Sequence, residues 1–192
     1  MHSFLFYFPL GWEHIISTDA LDHQLFILAL TAIYAWQDWK QVLILVTAFT
    51  IGHSLTLALS VLEIFSLSSN WVEFLIPLTI VLTAANNLFE HIRLGRKIQL
   101  NYWLALLFGF IHGMGFANSI RFMLSEEQQL GWGLFGFTLG LEAGQLIFVA
   151  LLLALSYAVL NLIKIEQKKW TLSLSVITLV SALFMTYERI PF

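Results

Sequence analysis

Six apolar runs, near residues 20–37, 41–62, 71–91, 102–123, 132–162 and 170–188, take up most of the chain. A hydrocarbon core takes about 20 helical residues to cross, so these lengths commit the chain to helices whose solvent is lipid. With 59% hydrophobic and 11% charged residues over 192 positions, and a mean hydropathy of +0.82, a water-soluble globule could not bury the apolar surface. The expected fold is all-α: one integral membrane domain over residues 1–192, a polytopic bundle of six transmembrane helices. Residues 3–18 leave room for a separate N-terminal half-helix or re-entrant segment. The first run is short for a crossing unless it borrows from residues 12–19. The fifth exceeds one crossing and is expected to tilt or protrude.

Tryptophans mark the borders. Trp36 and Trp39 close the first run, while Trp71, Trp103, Trp132 and Trp170 open the last four. Indole prefers the headgroup level, so this is the spacing of an aromatic belt. Basic residues give the orientation. Lys40, Arg93, Arg96, Lys97, Lys164, Lys168 and Lys169 fall in the odd-numbered loops, against Arg121 and Arg189 elsewhere. That bias predicts a protein of the cell (inner) membrane with cytoplasmic odd loops and both termini on the outer or periplasmic side. Residues 3–10, SFLFYFPL, lack a basic n-region and a small-residue cleavage site, so they are not expected to be a cleaved signal. No basic patch interleaved with stacking aromatics suits a nucleic-acid partner. The sequence shows no convincing internal repeat.

Charge is scarce and unevenly placed. GWEHIISTDALDHQLF, residues 11–26, crowds Glu13, His14, Asp19, Asp22 and His23 ahead of the first run. On a helix Asp19, Asp22 and His23 share a face. Three more polar residues lie deep in later runs: His53 in FTIGHSLTL, His112 in FGFIHGMGF and Glu142 in GLEAGQL. Counted from the outer ends at the helical rise, these three come to roughly 13–17 Å, near the midplane. Polar side chains at that depth are costly and mark functional sites by default. Alone, each has a plainer reading: a histidine as an interhelical hydrogen-bond partner, Asp19 or Asp22 as an N-cap. Convergence at one depth favours a single buried site. Asn86, Asn87 and Gln145 are weaker candidates for a path, and Glu73 could cap its helix or line the entrance. Glu90 and His91 look like a solvated border.

The chain has no cysteine, which removes thiolate sites and disulfides. Imidazoles with carboxylates suit a borderline divalent ion such as Ni, Zn, Co, Fe or Mn. The metal ligands expected are His14, Asp19, Asp22, His23, His53, His112 and Glu142. A transporter would string such ligands along a path. A metal-dependent hydrolase would close three histidines on Zn and use Asp22 or Glu142 as general base. A third possibility is a non-transporting assembly factor whose polar residues hold helices together. Gly109 and Gly113 flank His112, and Gly136, Gly140 and Gly144 run beside Glu142, so close helix packing, and oligomers through these faces, are open to it.

GWEHIISTDALDHQLFILAL, FTIGHSLTLAL, VEFLIPLTIVLTAANN, FGFIHGMGFA and GLEAGQL, in this order, resemble the HupE/UreJ family of integral membrane proteins, especially its short forms without a cleaved signal. The resemblance implies a polytopic protein that handles nickel or another divalent metal, in a family linked to hydrogenase and urease systems. Its opening motif maps onto His14, Asp22 and His23, and its other polar signatures onto His53, His112 and Glu142. The opening motif is similar, more loosely, to the His…Asp-His element of nickel/cobalt permeases. The expectation is a nickel-type transporter or metal-receiving permease in the lipid bilayer.

Overall fold

The computed structural model describes residues 2–65, 67–90, 98–125 and 130–191. The described residues form seven α-helices and no strand: α1 (His2–Ile16), α2 (Leu21–Thr31), α3 (Trp39–Val61), α4 (Ser69–Glu90), α5 (Ile98–Ser125), α6 (Leu130–Tyr157) and α7 (Gln167–Glu188). Four segments, Trp36–Val61, Ser69–Phe89, Leu130–Leu162 and Gln167–Glu188, are long and apolar enough to cross a membrane. His91 and the basic residues Arg93, Arg96 and Lys97 lie outside the described residues, as do the side chains of Glu90 and Arg121.

The first apolar run is not one long helix. It yields α2, 11 residues ending at Thr31, and residues 3–18 fall largely in a helix of their own, α1, of 15 residues. Between them Ser17 is extended (φ −63°, ψ 157°) and Thr18–Ala20 make one 3₁₀ turn. The break is held by Gln24, whose amide donates to the carbonyls of Ile15 at 3.1 Å and Ser17 at 2.9 Å. These are groups that the end of α1 leaves without helical partners. At the other end of the run, the Asp38 carboxylate accepts from the Ala35 N–H at 3.0 Å and fixes the turn into α3.

Cross-helix contacts give the directions. Gly136, Gly140 and Gly144 of α6 meet Phe4, Phe8 and Trp12 of α1 in that order, so α1 and α6 run parallel. Gly52 meets Leu106 and Phe110, while Gly113 meets His53 and Thr56, so α3 and α5 are parallel as well. Trp170 at the start of α7 donates to Ser156 at the end of α6, which makes that pair antiparallel. Asp22 lies near Arg189 and Ala32 near Thr171, so α2 runs against α7 and in the same sense as α1. Together α1 and α2 form one broken helix. The fifth run is long as expected: α6 continues through a π-helical turn at Ala158–Leu162. Because its C-terminal end is matched to the start of α7, the surplus lies at its N-terminal end, beside the start of α1.

The tightest contacts are backbone against backbone. A Cβ on Gly52 would strike the Leu106 carbonyl, and one on Gly109 the Phe49 carbonyl. Gly11 and Gly140 stand in the same relation to the carbonyls of Phe137 and Phe8. Only glycine permits this approach. Around it pack the fully buried Leu45, Phe49, Leu57, Ile80, Phe137 and Leu141. Gly52→Ala is therefore expected to destabilise the protein by about 1–3 kcal/mol through overpacking, despite alanine's better helix propensity. Gly131→Ala, with nothing within 4 Å, serves as the neutral control, and thermal unfolding in detergent compares them.

Candidate metal centre

Four helices each bring one histidine to a common point. His14 is in the last turn of α1, His23 in the first turn of α2, His53 in α3 and His112 in α5. In an unbroken helix His14 and His23 would stand about 13 Å apart along the axis. The break at Ser17–Ala20 folds them together, with ring centroids 4.6 Å apart. His53 is held in place by the glycine contact beside it, since the N–H of His53 borders Gly109 and its carbonyl borders Gly113. One ligating atom from each of His14, His23 and His53 lies within 4.8 Å of the others. His112 completes the cluster, its ring 5.2 Å from that of His23.

The hydrogen bonds decide which nitrogens face inward. The Nδ1–H of His112 donates to the Phe108 carbonyl at 2.8 Å. A carbonyl only accepts, so Nε2 of His112 carries the free lone pair. Nδ1 of His23 lies 2.9 Å from Oδ1 of Asp22, which also accepts from the His23 backbone N–H at 2.8 Å. That again leaves Nε2 as the free acceptor. The Nε2 atoms of His14, His23 and His112, and both ring nitrogens of His53, are buried with no hydrogen-bond partner. Exposure is 0% for His53 and His112 and 4% for His23, so bulk water has little access to these nitrogens. A buried polar atom without a partner costs about 1–3 kcal/mol, so several at one point call for something that binds them. A tetrahedral ion with metal–nitrogen bonds near 2.0–2.1 Å draws its ligand nitrogens to about 3.4 Å of one another. Small side-chain rotations would close this cluster on one ion. Asp22 and the Phe108 carbonyl already do what outer-shell groups do for ligating imidazoles, fixing tautomer and orientation.

Space on the two sides of the cluster differs. On the side of the α7 C-terminus a cavity of about 240 Å³ reaches His14, His23 and His112 past Asp19, Asp22 and Glu73. Asp19 and Glu73 are exposed, and Arg189 reaches in from α7 to within 3.7 Å of Oδ2 of Asp22. On the opposite side Phe26 stacks on Phe49 at 4.8 Å, packs edge-on to Phe108 at 5.9 Å, and touches the His112 ring at 5.5 Å. Below this aromatic floor lies a second cavity of about 330 Å³ between α2, α4 and α5, lined by Phe26, Phe108, Tyr34, Asn86 and Asn87 among others.

Of the ligands expected from the sequence, His14, His23, His53 and His112 come together, and Asp22 stands directly behind His23. Asp19 lines the vestibule at a distance from the imidazoles. Glu142 is elsewhere. Thr47 of α3 donates to it at 2.8 Å, and beside it Thr50 donates to Gln145, so both lie in a polar seam between α3 and α6. Asn87 donates to the Ala29 carbonyl at 2.7 Å. Sequence reasoning missed Arg189, Phe26 and Phe108. Arg189 entered it only as a topology charge, because its approach to Asp22 joins opposite ends of the chain. Phe26 and Phe108 are two among 17 phenylalanines, and no local pattern sets them apart.

A family model described as HupE / UreJ protein matches residues 1–189. No curated protein and no solved structure matches the chain.

Two substitutions separate ligand from support. His53→Ala is expected to lower affinity for Ni²⁺ or Zn²⁺ by about 100-fold or more, and Asp22→Asn by about 10–100-fold, with titration calorimetry of the detergent-solubilised protein as the readout. Equal affinity in His53→Ala and the parent chain would remove the cluster as a metal site.

Proposed function

The chain belongs to the HupE/UreJ family, and on that premise we propose that it carries a divalent transition metal of nickel type across the cell membrane. In this reading the helices make six crossings, with α1 and α2 sharing the first, both termini outside and the basic loops in the cytoplasm. The metal is cargo. Asp19, Asp22 and Glu73 would gather it in the vestibule, and the four histidines would hold it in the interior. Glu142, with Gln145 beside it, would act at the same depth in the α3–α6 seam, and Asn86 and Asn87 would line the way out. The observation that carries the reading is the arrangement of cavities. A histidine cluster with free acceptor nitrogens stands between an acidic vestibule and a second cavity, separated from the latter only by side chains.

The compactness of the His14–His23–His53 group favours a second reading, a zinc-dependent hydrolase with three protein ligands and an open position for water. Its general base is the weak point. Both oxygens of Asp22 are engaged, one by His23 and one by Arg189, and Glu142 is bonded to Thr47 away from the group. The assembly-factor reading leaves the orphaned imidazole nitrogens without a purpose.

Proteoliposomes loaded with a metal-sensitive dye test the proposal. Added Ni²⁺ should enter at a rate that saturates with concentration, and His53→Ala or His112→Ala should reduce that rate by about tenfold or more. A metal that binds near-stoichiometrically and never crosses would instead support the hydrolase.

A further inference from the structure

The two parallel helix pairs are built alike. In α1–α6, Gly11 faces the Phe137 carbonyl and the Leu141 N–H, while Gly140 faces the Phe8 carbonyl and the Trp12 N–H. In α3–α5, Gly109 faces the Phe49 carbonyl and the His53 N–H, while Gly52 faces the Leu106 carbonyl and the Phe110 N–H. Every one of these contacts has its counterpart when α1 is matched to α5 and α3 to α6. The next contact matches too: Gly144 on Ile15 in one pair, Gly113 on Thr56 in the other, with the glycine on α6 in the first and on α5, the counterpart of α1, in the second. Under the same matching His14 corresponds to His112, each three residues after its glycine. Thr50 corresponds to Thr138 and Ser54 to Glu142, the polar positions of the seam.

Direction and chain order agree with the match. The α1–α6 pair runs opposite to the α3–α5 pair, so the relation inverts the membrane. The order α1–α2, α3, α4 is followed by α5, α6, α7, which pairs α4 with α7. Those two helices pack on each other in antiparallel sense, as partners across a two-fold axis must. The unbroken α5 then corresponds to α1 and α2 together. In the sequence the match survives as FTIG at 49–52 against FTLG at 137–140, and as Gly11 and His14 against Gly109 and His112.

We infer that the chain is an inverted duplication of three crossings, and that its two glycine-locked pairs move as rigid bodies against each other around the bound metal. The motion deepens the transport reading and rests on it. Substrates of inverted repeats sit at the repeat interface beside a discontinuous helix, and rocking of the halves gives alternating access. Here His14 belongs to one pair and His53 and His112 to the other, next to the break at Ser17–Ala20. Within a pair, interlocked backbones resist sliding. Between pairs, α3 meets α6 through side-chain hydrogen bonds: Thr47 to Glu142, Thr50 to Gln145 and Thr138 to Ser54. Such an interface can shear.

The absence of cysteine makes the test clean. Ser54→Cys with Thr138→Cys, oxidised to a disulfide, ties the pairs together at residues now 2.9 Å apart through their hydroxyls. The tied protein should bind Ni²⁺ with unchanged stoichiometry while Ni²⁺ flux falls about tenfold or more and returns on reduction. Spin labels on Leu55 and Phe135, across the pairs, should show two distance populations whose ratio shifts with Zn²⁺. Labels on Leu5 and Phe135, or on Leu55 and Leu107, each within a pair, should show one distance that does not shift. Full flux in the tied protein, or a shift within a pair, overturns the inference. An untied protein with no flux, but with the Zn²⁺-dependent shift across pairs, sinks the transport reading and leaves the rigid-pair motion standing.

Discussion

Contact between glycines and carbonyls of neighbouring helices is the constraint on which the rest of the structure depends. In lipid there is no hydrophobic drive to press apolar helices together, so association relies on close packing and on the few polar groups available. Gly11 with Gly140, and Gly52 with Gly109, let two pairs of backbones interlock reciprocally. The second lock includes the His53 backbone itself, and His112 follows Gly109 by three residues on the same helix. His53 is thus positioned by backbone contact and not by its own hydrogen bonds, while His112 adds to the backbone contact of its helix the bond from Nδ1–H to the Phe108 carbonyl. This is why His53 can keep both ring nitrogens unpartnered and still hold a fixed place.

The break between α1 and α2 supplies the other two imidazoles. Irregular backbone at membrane depth is tolerated only where its polar groups are met by protein or by a wet cavity. Gln24 meets the carbonyls at the end of α1, and the vestibule adjoins Ser17, Asp19 and Ala20. The break therefore does two things. It turns His14 toward His23, and it puts unwound chain where a cation would enter.

The lipid-facing, all-α character was legible from run lengths and composition, because a helix that must satisfy its own backbone in hydrocarbon leaves a plain record in sequence. The extra segment over residues 3–18 was legible as well. What hid was the joint between α1 and α2: its stabilising contact is one glutamine reaching back over several residues, and no periodicity encodes that. The depth count placed His53, His112 and Glu142 at one level, but depth says nothing about azimuth. Glu142 follows Leu141, which points into the core, and so faces the α3–α6 seam. Conversely the meeting of His14 with His23 rests on the break at Ser17–Ala20, which a count along one straight helix does not register. The inverted relation of the halves escaped because it is written in what the glycines touch.

The order of ligand types along the proposed path also has a physical logic. Anionic groups stand where water still screens them, with Asp19 and Glu73 exposed at the mouth and Asp22 shared between His23 and Arg189. Deeper, the proposed ligands are imidazoles, and the one carboxylate at their depth, Glu142, is bonded to Thr47 in the α3–α6 seam. An ion moving inward therefore exchanges strong electrostatic attraction for softer donor bonds, which suits binding that must later be undone. The guanidinium of Arg189, 3.7 Å from Oδ2 of Asp22, would on this proposal compete with an arriving ion for that carboxylate. Beyond the histidines, Phe26, Phe49 and Phe108 offer no donor atoms, so on the proposed path onward movement would have to wait for the floor itself to shift. On the transport proposal a site arranged in this way would hold a metal without trapping it, and the step that frees the metal would belong to the helices and not to the ligands.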